Sequence, residues 1–223
     1  MSRSSAAPSG RSGVQSRDQL LDVAEQLMSE KGYAGTPVSA ICKAAGVAPT
    51  SLYWHFGSKE GLLASVMERG AARWFAALPR WSELTGDHQQ RAATVQRLGA
   101  AAVGEHPLFL RLFYLLALEA GADEVAGDFV RRVRERAKNY FSEGIAGLLG
   151  DLAAPEIACD AAVELARFAV AFSDGCFFAS QLEPDEVDLH QMYSDLLTAL
   201  LALAPAALDR ARKAKTVSAQ ESR

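Results

Sequence analysis

Between Pro49 and Lys59 the chain reads PTSLYWHFGSK, which sets hydroxyls, a phenol, an indole, an imidazole and an ammonium within a few residues of one another. Hydroxyls and a phenol can donate to phosphate oxygens, and short side chains such as Thr50 and Ser51 can reach base edges. Lys59 falls at a helix start, where the unsatisfied backbone amides already attract an anion. Leu52 and Phe56 are one helical turn apart, so they share the buried side of a short helix that Pro49 opens. Thr50, Ser51, Tyr53, Trp54 and His55 are left outward. On residue type alone two readings stay open: a nucleic-acid face, or an aromatic patch packed on a neighbouring domain.

The elements around this run decide how it is presented. Thr36 suits a helix cap and Pro37 the first helical position, where no backbone donor is needed. Val38, Ile41, Ala44 and Ala45 then recur at helical spacing. Gly46 ends that helix and Val47 packs back as the anchor of the turn. Gly57 stops the second helix and Ser58 caps a third. The layout is a helix-turn-helix with its recognition helix at Pro49–Phe56. Upstream, Ser16 and Gln19 form a capping-box start. The stripe Leu20, Val23, Ala24, Leu27 and Met28 leads from there to Gly32 and completes a three-helix head.

The segment AGVAPTSLYWHFGSKEGLL, preceded by GYAGTPVSAIC, closely resembles the N-terminal domain of the TetR family of bacterial transcription regulators. The likeness spans about Ser16 to Met67, roughly a quarter of the chain, and several features agree in order and spacing. It implies that Thr36, Tyr53, His55 and Lys59 meet DNA phosphates, while Thr50, Ser51 and Trp54 approach the bases. Two positions depart from the family pattern. Ala48 stands where a capping serine is common, so Pro49 and the neighbouring backbone must define that helix start. Thr50 stands where glycine is frequent, which makes the base-contacting surface bulkier.

Composition narrows the remaining choices. The net charge of −4 is unevenly spread, with eight Lys and Arg against six Asp and Glu up to Phe75 and fifteen against twenty-one beyond. A slightly basic head on an acidic body suits a modular DNA binder. Cys42, Cys159 and Cys176 are too scattered for a disulfide framework or a metal motif, and the four histidines form no HxxxH pair, so no structural metal is expected. No secretory signal and no membrane-spanning run is read, which points to the cytoplasm. No GxSxG elbow, P-loop or GxGxxG after a strand is found. The expected protein is therefore not an enzyme and uses no cofactor.

The expected fold is all-α. A disordered arm covers residues 1–15, the head 16–62, a helical effector-binding and dimerisation body 63–205, and a flexible tail 206–223. A long helix from Ser58 carries Leu62, Val66 and Trp74 towards Pro79. Further helices are read from His88, Pro107, Asp123, Pro155 and a cap at Asp185 or Glu186, the last ending where Pro205 breaks the pattern. Aromatics from several helices can converge on a mostly apolar pocket, with Trp74, Trp81, Phe109, Phe113, Tyr114 and Phe172 as walls and Glu119 as a polar anchor. Asp174 is a second candidate anchor, or the partner of an arginine. The last two helices are strongly apolar, and a dimer built through Phe168, Phe172, Cys176, Ala179, Leu196, Leu197 and Leu200 would bury them as a four-helix bundle. A symmetric pair of recognition helices then reads a palindromic operator, released when a small apolar effector binds the body. The contrasting reading is a helical module that binds a small molecule or a protein without specific DNA recognition.

Overall fold

Helical periodicity is realised as helix along the whole described chain, which in this computed structural model comprises residues 10–119 and 124–221, with side chains over 14–118 and 127–217. Nine α-helices are present among these residues, and no strand. They are α1 (Gly10–Lys31), α2 (Val38–Ala45), α3 (Pro49–Phe56), α4 (Lys59–Ala76), α5 (His88–Glu105), α6 (Pro107–Glu119), α7 (Glu124–Leu149), α8 (Pro155–Leu182) and α9 (Leu189–Glu221). A 3-10 turn at Trp81–Glu83 precedes α5. The backbone groups into two compact units, Met1–Arg73 with Leu108–Val130, and Trp74–Pro107 with Arg131–Arg223.

In the first unit α1 crosses the pair α2 and α3. Leu20, Leu21, Ala24 and Met28 of α1 are buried with Ile41 of α2 and Leu52 of α3. Each large side chain so buried contributes about 1.5–3 kcal/mol. Gly46 sits at φ +65°, and the Val47 amide donates to the Cys42 carbonyl at 3.0 Å. This left-handed stop satisfies the last carbonyls of α2 and turns the chain directly into α3. Ser58 Oγ accepts from the Gly61 amide at 3.1 Å and so caps α4, as expected. Later in α4, Gly70 admits Phe109 of α6, since a Cβ there would lie 2.4 Å from the ring.

The buried face of α4 also carries a charge. The Arg69 guanidinium pairs with Asp22 at 2.8 Å and with Glu25 at 3.0 Å, both on α1. The side chains of Arg69 and Glu25 are only 16% and 11% exposed, and Arg73 stands 3.8 Å from the same Glu25 carboxylate.

In the second unit α9 packs along α8 and α5. Asp87 and Gln90 form the capping box of α5, which confirms the expected start at His88. The start of α9 is corrected, because the cap is Asp188, accepting from the His190 and Gln191 amides, rather than Asp185 or Glu186. Its end is corrected too. Pro205 lies inside α9, and the helix continues to Glu221, where a flexible tail was expected from 206. A proline inside a helix removes one backbone bond at a cost of about 3 kcal/mol. Packing on either side offsets this, for Ala204, Ala207, Leu208 and Ala211 are buried. Arg210 pairs with Glu164, and Lys215 with Glu156 and Asp160 of α8. The continuous helix also exceeds the apolar run read from sequence: Leu189–Val217 is long and apolar enough to cross a membrane, and 33% of its apolar window is buried inside this chain. Residues 10–15, assigned above to a disordered arm, belong to α1.

Replacing Arg69 with Met keeps the aliphatic stem but strands Glu25 in a nearly dry site. The variant should lose about 2–3 kcal/mol of stability, less than a fully buried pair because Arg73 remains. Thermal and urea unfolding followed by circular dichroism measure it, and a loss below about 0.5 kcal/mol would show that the pair holds nothing together.

Candidate nucleic-acid interface and ligand cavity

The short helix α3 is fixed by one inward residue, Leu52, which is fully buried. Everything else on it follows by helical geometry. Pro49 opens the helix, with Ala48 in an extended conformation and no side-chain cap, so the substitution of Ala for serine is absorbed by the backbone. Pro49 and Thr50 are exposed and Ser51 is half-buried. Tyr53 is 51% and Trp54 79% exposed. The His55 ring stands edge-on to Trp54 at 4.6 Å and tilted against Phe56 at 5.9 Å, so the three rings brace one another. An indole left in water adds nothing to the fold, which favours a contact made outside it. Gly57, at φ +74°, then ends the helix.

The expected phosphate contacts divide on inspection. Tyr53 is exposed as read from sequence, whereas His55, also read as outward, is half-buried between Trp54 and Phe56. Thr36 does not. Its side chain is fully buried, and its Oγ1 donates to the carbonyls of Gly32, at 2.8 Å, and Leu27, at 3.2 Å. The hydroxyl closes the C-terminal end of α1 and has no proton left for a phosphate. Pro37, not Thr36, takes the cap position of α2. Lys59 is half-way between these cases. Its Nζ donates to the Tyr33 carbonyl at 2.7 Å and lies 4.2 Å above the Tyr33 ring. An ammonium has three donors, so this bond orients the group without exhausting it. Tyr33 Oη in turn donates to Glu60 at 3.0 Å. Hydrogen bonds from the Glu60 amide, Ser58 and Tyr33 hold the Glu60 carboxyl below its usual range. One cation was missed in the reading from sequence: Lys43 is exposed in the last turn of α2, and its position beside the turn was the signal. Arg17, which the sequence offers either as a groove contact or as part of a solvated tail, belongs to α1 and places its guanidinium 5.3 Å from the Phe56 ring centre.

In the second unit a mostly apolar cavity of about 820 Å³, its mouth included, opens between α5, α7 and α9. Trp74 and Trp81 line it as expected, with Tyr140, Phe141 and Tyr193 completing an aromatic wall. Glycines make this wall possible. A Cβ at Gly99 would lie 2.7 Å from the Tyr193 ring, and one at Gly147 would lie 2.1 Å from the Trp81 indole. Phe109, Phe113, Tyr114 and Phe172 are not among the lining residues. The first three belong to the other unit, where Phe109 and Phe113 are buried core. The Glu119 side chain lies outside the described residues. Asp174 pairs with Arg134 instead of facing the cavity.

The expected dimer residues are corrected as well. Leu196, Leu197 and Leu200 line the cavity, and Cys176 is fully buried. Burial lifts the Cys176 thiol to about 11, so it stays a neutral packing group. The densest apolar stripe is core because α5, α8 and α9 pack through it. Phe172 and Ala179 are half-buried. Phe168 alone of the set is exposed, and it continues into Ala171, Gly175, Phe178 and Leu182, spaced by three or four residues along one outer face of α8.

Residues 20–66, the helices just described, match the sequence profile of bacterial regulatory proteins of the tetR family. The head is thus of the tetR-family type. It is 41% identical over 54 residues to the HTH-type transcriptional regulator AcrR of Shigella flexneri, a match covering 24% of this chain and 25% of that one. The chain spans from about a quarter to little more than half the length of the curated relatives it matches. The fold extends further than the sequence likeness. A TetR-family transcriptional regulator from Rhodococcus sp. superposes with a TM-score of 0.62 at 20% identity, covering 86% of this chain and 99% of that one. The SmeT–triclosan complex gives a TM-score of 0.66 at 22% identity, covering 84% and 90%.

Thr36→Val and Tyr53→Ala separate the two classes of head residue. Thr36→Val should lower stability by about 1 kcal/mol. Tyr53→Ala should leave stability within about 0.5 kcal/mol, as an exposed site does, and weaken DNA binding roughly tenfold. Paired melting curves and fluorescence-anisotropy titrations on DNA check both, and a tight-binding Tyr53→Ala protein would remove α3 from the interface.

Proposed function

We propose that this chain is a TetR-family regulator, a ligand-released repressor that binds a palindromic operator as a homodimer. The observation that carries the reading is α3. One buried leucine fixes an eight-residue helix whose other side holds out Thr50, Tyr53 and Trp54. Thr50 and Ser51 read base edges in the major groove, while Tyr53, His55 and Lys59 hold the backbone, joined by Lys43 and Arg17.

One such helix reads few base pairs, and symmetry doubles them. The exposed face of α8 from Phe168 to Leu182 is the surface we assign to the partner copy. Phe178 and Leu182, 43% and 79% exposed, are its largest unburied contributors. The small residues Ala171 and Gly175, between Phe168 and Phe178, let two such helices approach closely.

The cavity is the effector site of this reading. Its wall is mostly apolar and aromatic with few polar groups, as small-molecule sites are. SmeT is solved with triclosan, which supports a small-molecule site in proteins of this fold. Trp74, which lines the cavity, belongs to the same helix, α4, as Lys59. A ligand that prefers a shifted α4 releases the operator. A hundredfold release requires about 2.7 kcal/mol of differential binding.

Selection of the purified full chain on random DNA fragments at near-physiological salt tests the regulator reading. The expected product is a palindrome with half-sites about one helical turn apart. Weak, sequence-blind binding with only a steep salt dependence would favour a helical binding module instead.

Gly144 allows a second test. It shares one face of α7 with Tyr140 and Leu148, lines the cavity, and has nothing within 4 Å of a Cβ built on it. Gly144→Leu should fill the cavity, keep operator affinity, and lower affinity for apolar ligands at least tenfold, read by calorimetry and anisotropy. Unchanged ligand affinity would place the effector elsewhere.

A further inference from the structure

The chemistry of the cavity wall limits what it accepts. Its ionisable lining comprises one carboxylate, Glu143, and the phenols of Tyr140 and Tyr193, with no Lys, Arg or His among the described lining residues. A buried carboxylate, sulfonate or phosphate would find no counter-charge there, and burying an unpaired anion is prohibitive. The polar side chains are mostly engaged with the protein itself. Glu143 accepts from Ser82 Oγ at 3.2 Å, Gln96 donates to the His190 carbonyl at 3.4 Å, and Tyr193 donates to Ser173 Oγ at 3.1 Å.

Tyr140 differs. Its hydroxyl is buried and has no hydrogen-bond partner among the described residues. A buried donor without an acceptor carries a penalty of about 1–3 kcal/mol, so such a group calls for an explanation. Burial, with Tyr193 and Glu143 nearby, pushes the phenol well above its ordinary value, so it remains a donor throughout the physiological range.

We propose that the cavity takes an uncharged, mostly aromatic or aliphatic molecule bearing one carbonyl or ether oxygen, and that Tyr140 donates its hydroxyl proton to that oxygen. The inference rests on the effector-site reading above and adds the ligand's charge and its anchor. The aromatic wall supplies the apolar contact, and the hydroxyl supplies orientation. Wall side chains cover the hydroxyl, so the ligand parts them on entry. Trp74, on α4, belongs to that wall and registers the event.

Four matched probes test this on the full-length protein: 2-acetylnaphthalene, 2-ethylnaphthalene, 2-naphthoate and a 2-naphthyl trimethylammonium salt. Binding is read by quenching of tryptophan fluorescence, to which Trp74 and Trp81 report directly, and by calorimetry. In the parent chain the ketone should bind, and the anion should be at least tenfold weaker. Tyr140→Phe keeps the ring, and circular dichroism and operator affinity verify that it folds. In it the ratio of ketone to hydrocarbon affinity should fall roughly three- to tenfold, with the hydrocarbon itself nearly unchanged. An unchanged ratio in Tyr140→Phe overturns the anchor while leaving the effector site standing. Tighter binding of the naphthoate or the ammonium than of the ketone overturns the uncharged class. Failure of all four to bind overturns both this inference and the effector-site reading.

Discussion

The Arg69 guanidinium, nearly dry and held between Asp22 and Glu25, ties α4 to α1. Apolar contacts alone would let two helices slide by a fraction of a turn at little cost. A guanidinium shared between two carboxylates does not, because a small displacement breaks hydrogen bonds, one of them to the nearly dry Glu25. Since α1 crosses both α2 and α3, whatever orients α4 orients the recognition helix. The same helix continues past Arg73 to Trp74, whose indole lines the cavity.

The cavity has a comparable constraint at its wall. Large rings occupy positions that any side chain on the facing helix would block, so Gly99 and Gly147 are the complements of Tyr193 and Trp81. The resulting surface is aromatic but carries little charge. Walls of that kind suit apolar molecules, with orientation left to the few polar groups among them.

On α8 and α9, density of apolar residues and availability of apolar residues are different things. Cys176, Leu196 and Leu200 are unexposed because three helices of one chain converge on them. Phe168, Phe178 and Leu182 lie on the opposite face of α8, sparser in apolar residues and open. Pro205 is a similar case of tertiary context overriding local preference. Its local strain is outweighed by buried alanines and by ion pairs between α9 and α8, so the helix passes through it.

The sequence by itself determined the head. Gly46, Pro49, Gly57 and Ser58 act on neighbours within four residues, so turn, helix start and cap could be read from spacing, and α3 occupies the expected Pro49–Phe56. The starts of α5, α6 and α8 were legible for the same reason, through Asp87, Pro107 and Pro155. Only the tertiary structure decided which residues of each helix face water, solvent-filled space or one another. Thr36 turns inward because the end of α1 lies against it, nine residues away in sequence from Leu27. Leu197 lines a cavity because α5 and α7 face it. Tyr140, which helical spacing marks only as core of α7, is singled out because its buried hydroxyl has no partner among the described residues. Helical periodicity specifies that a face is buried, whereas the identity of its neighbour depends on contacts between residues far apart in the chain, and no local pattern encodes those.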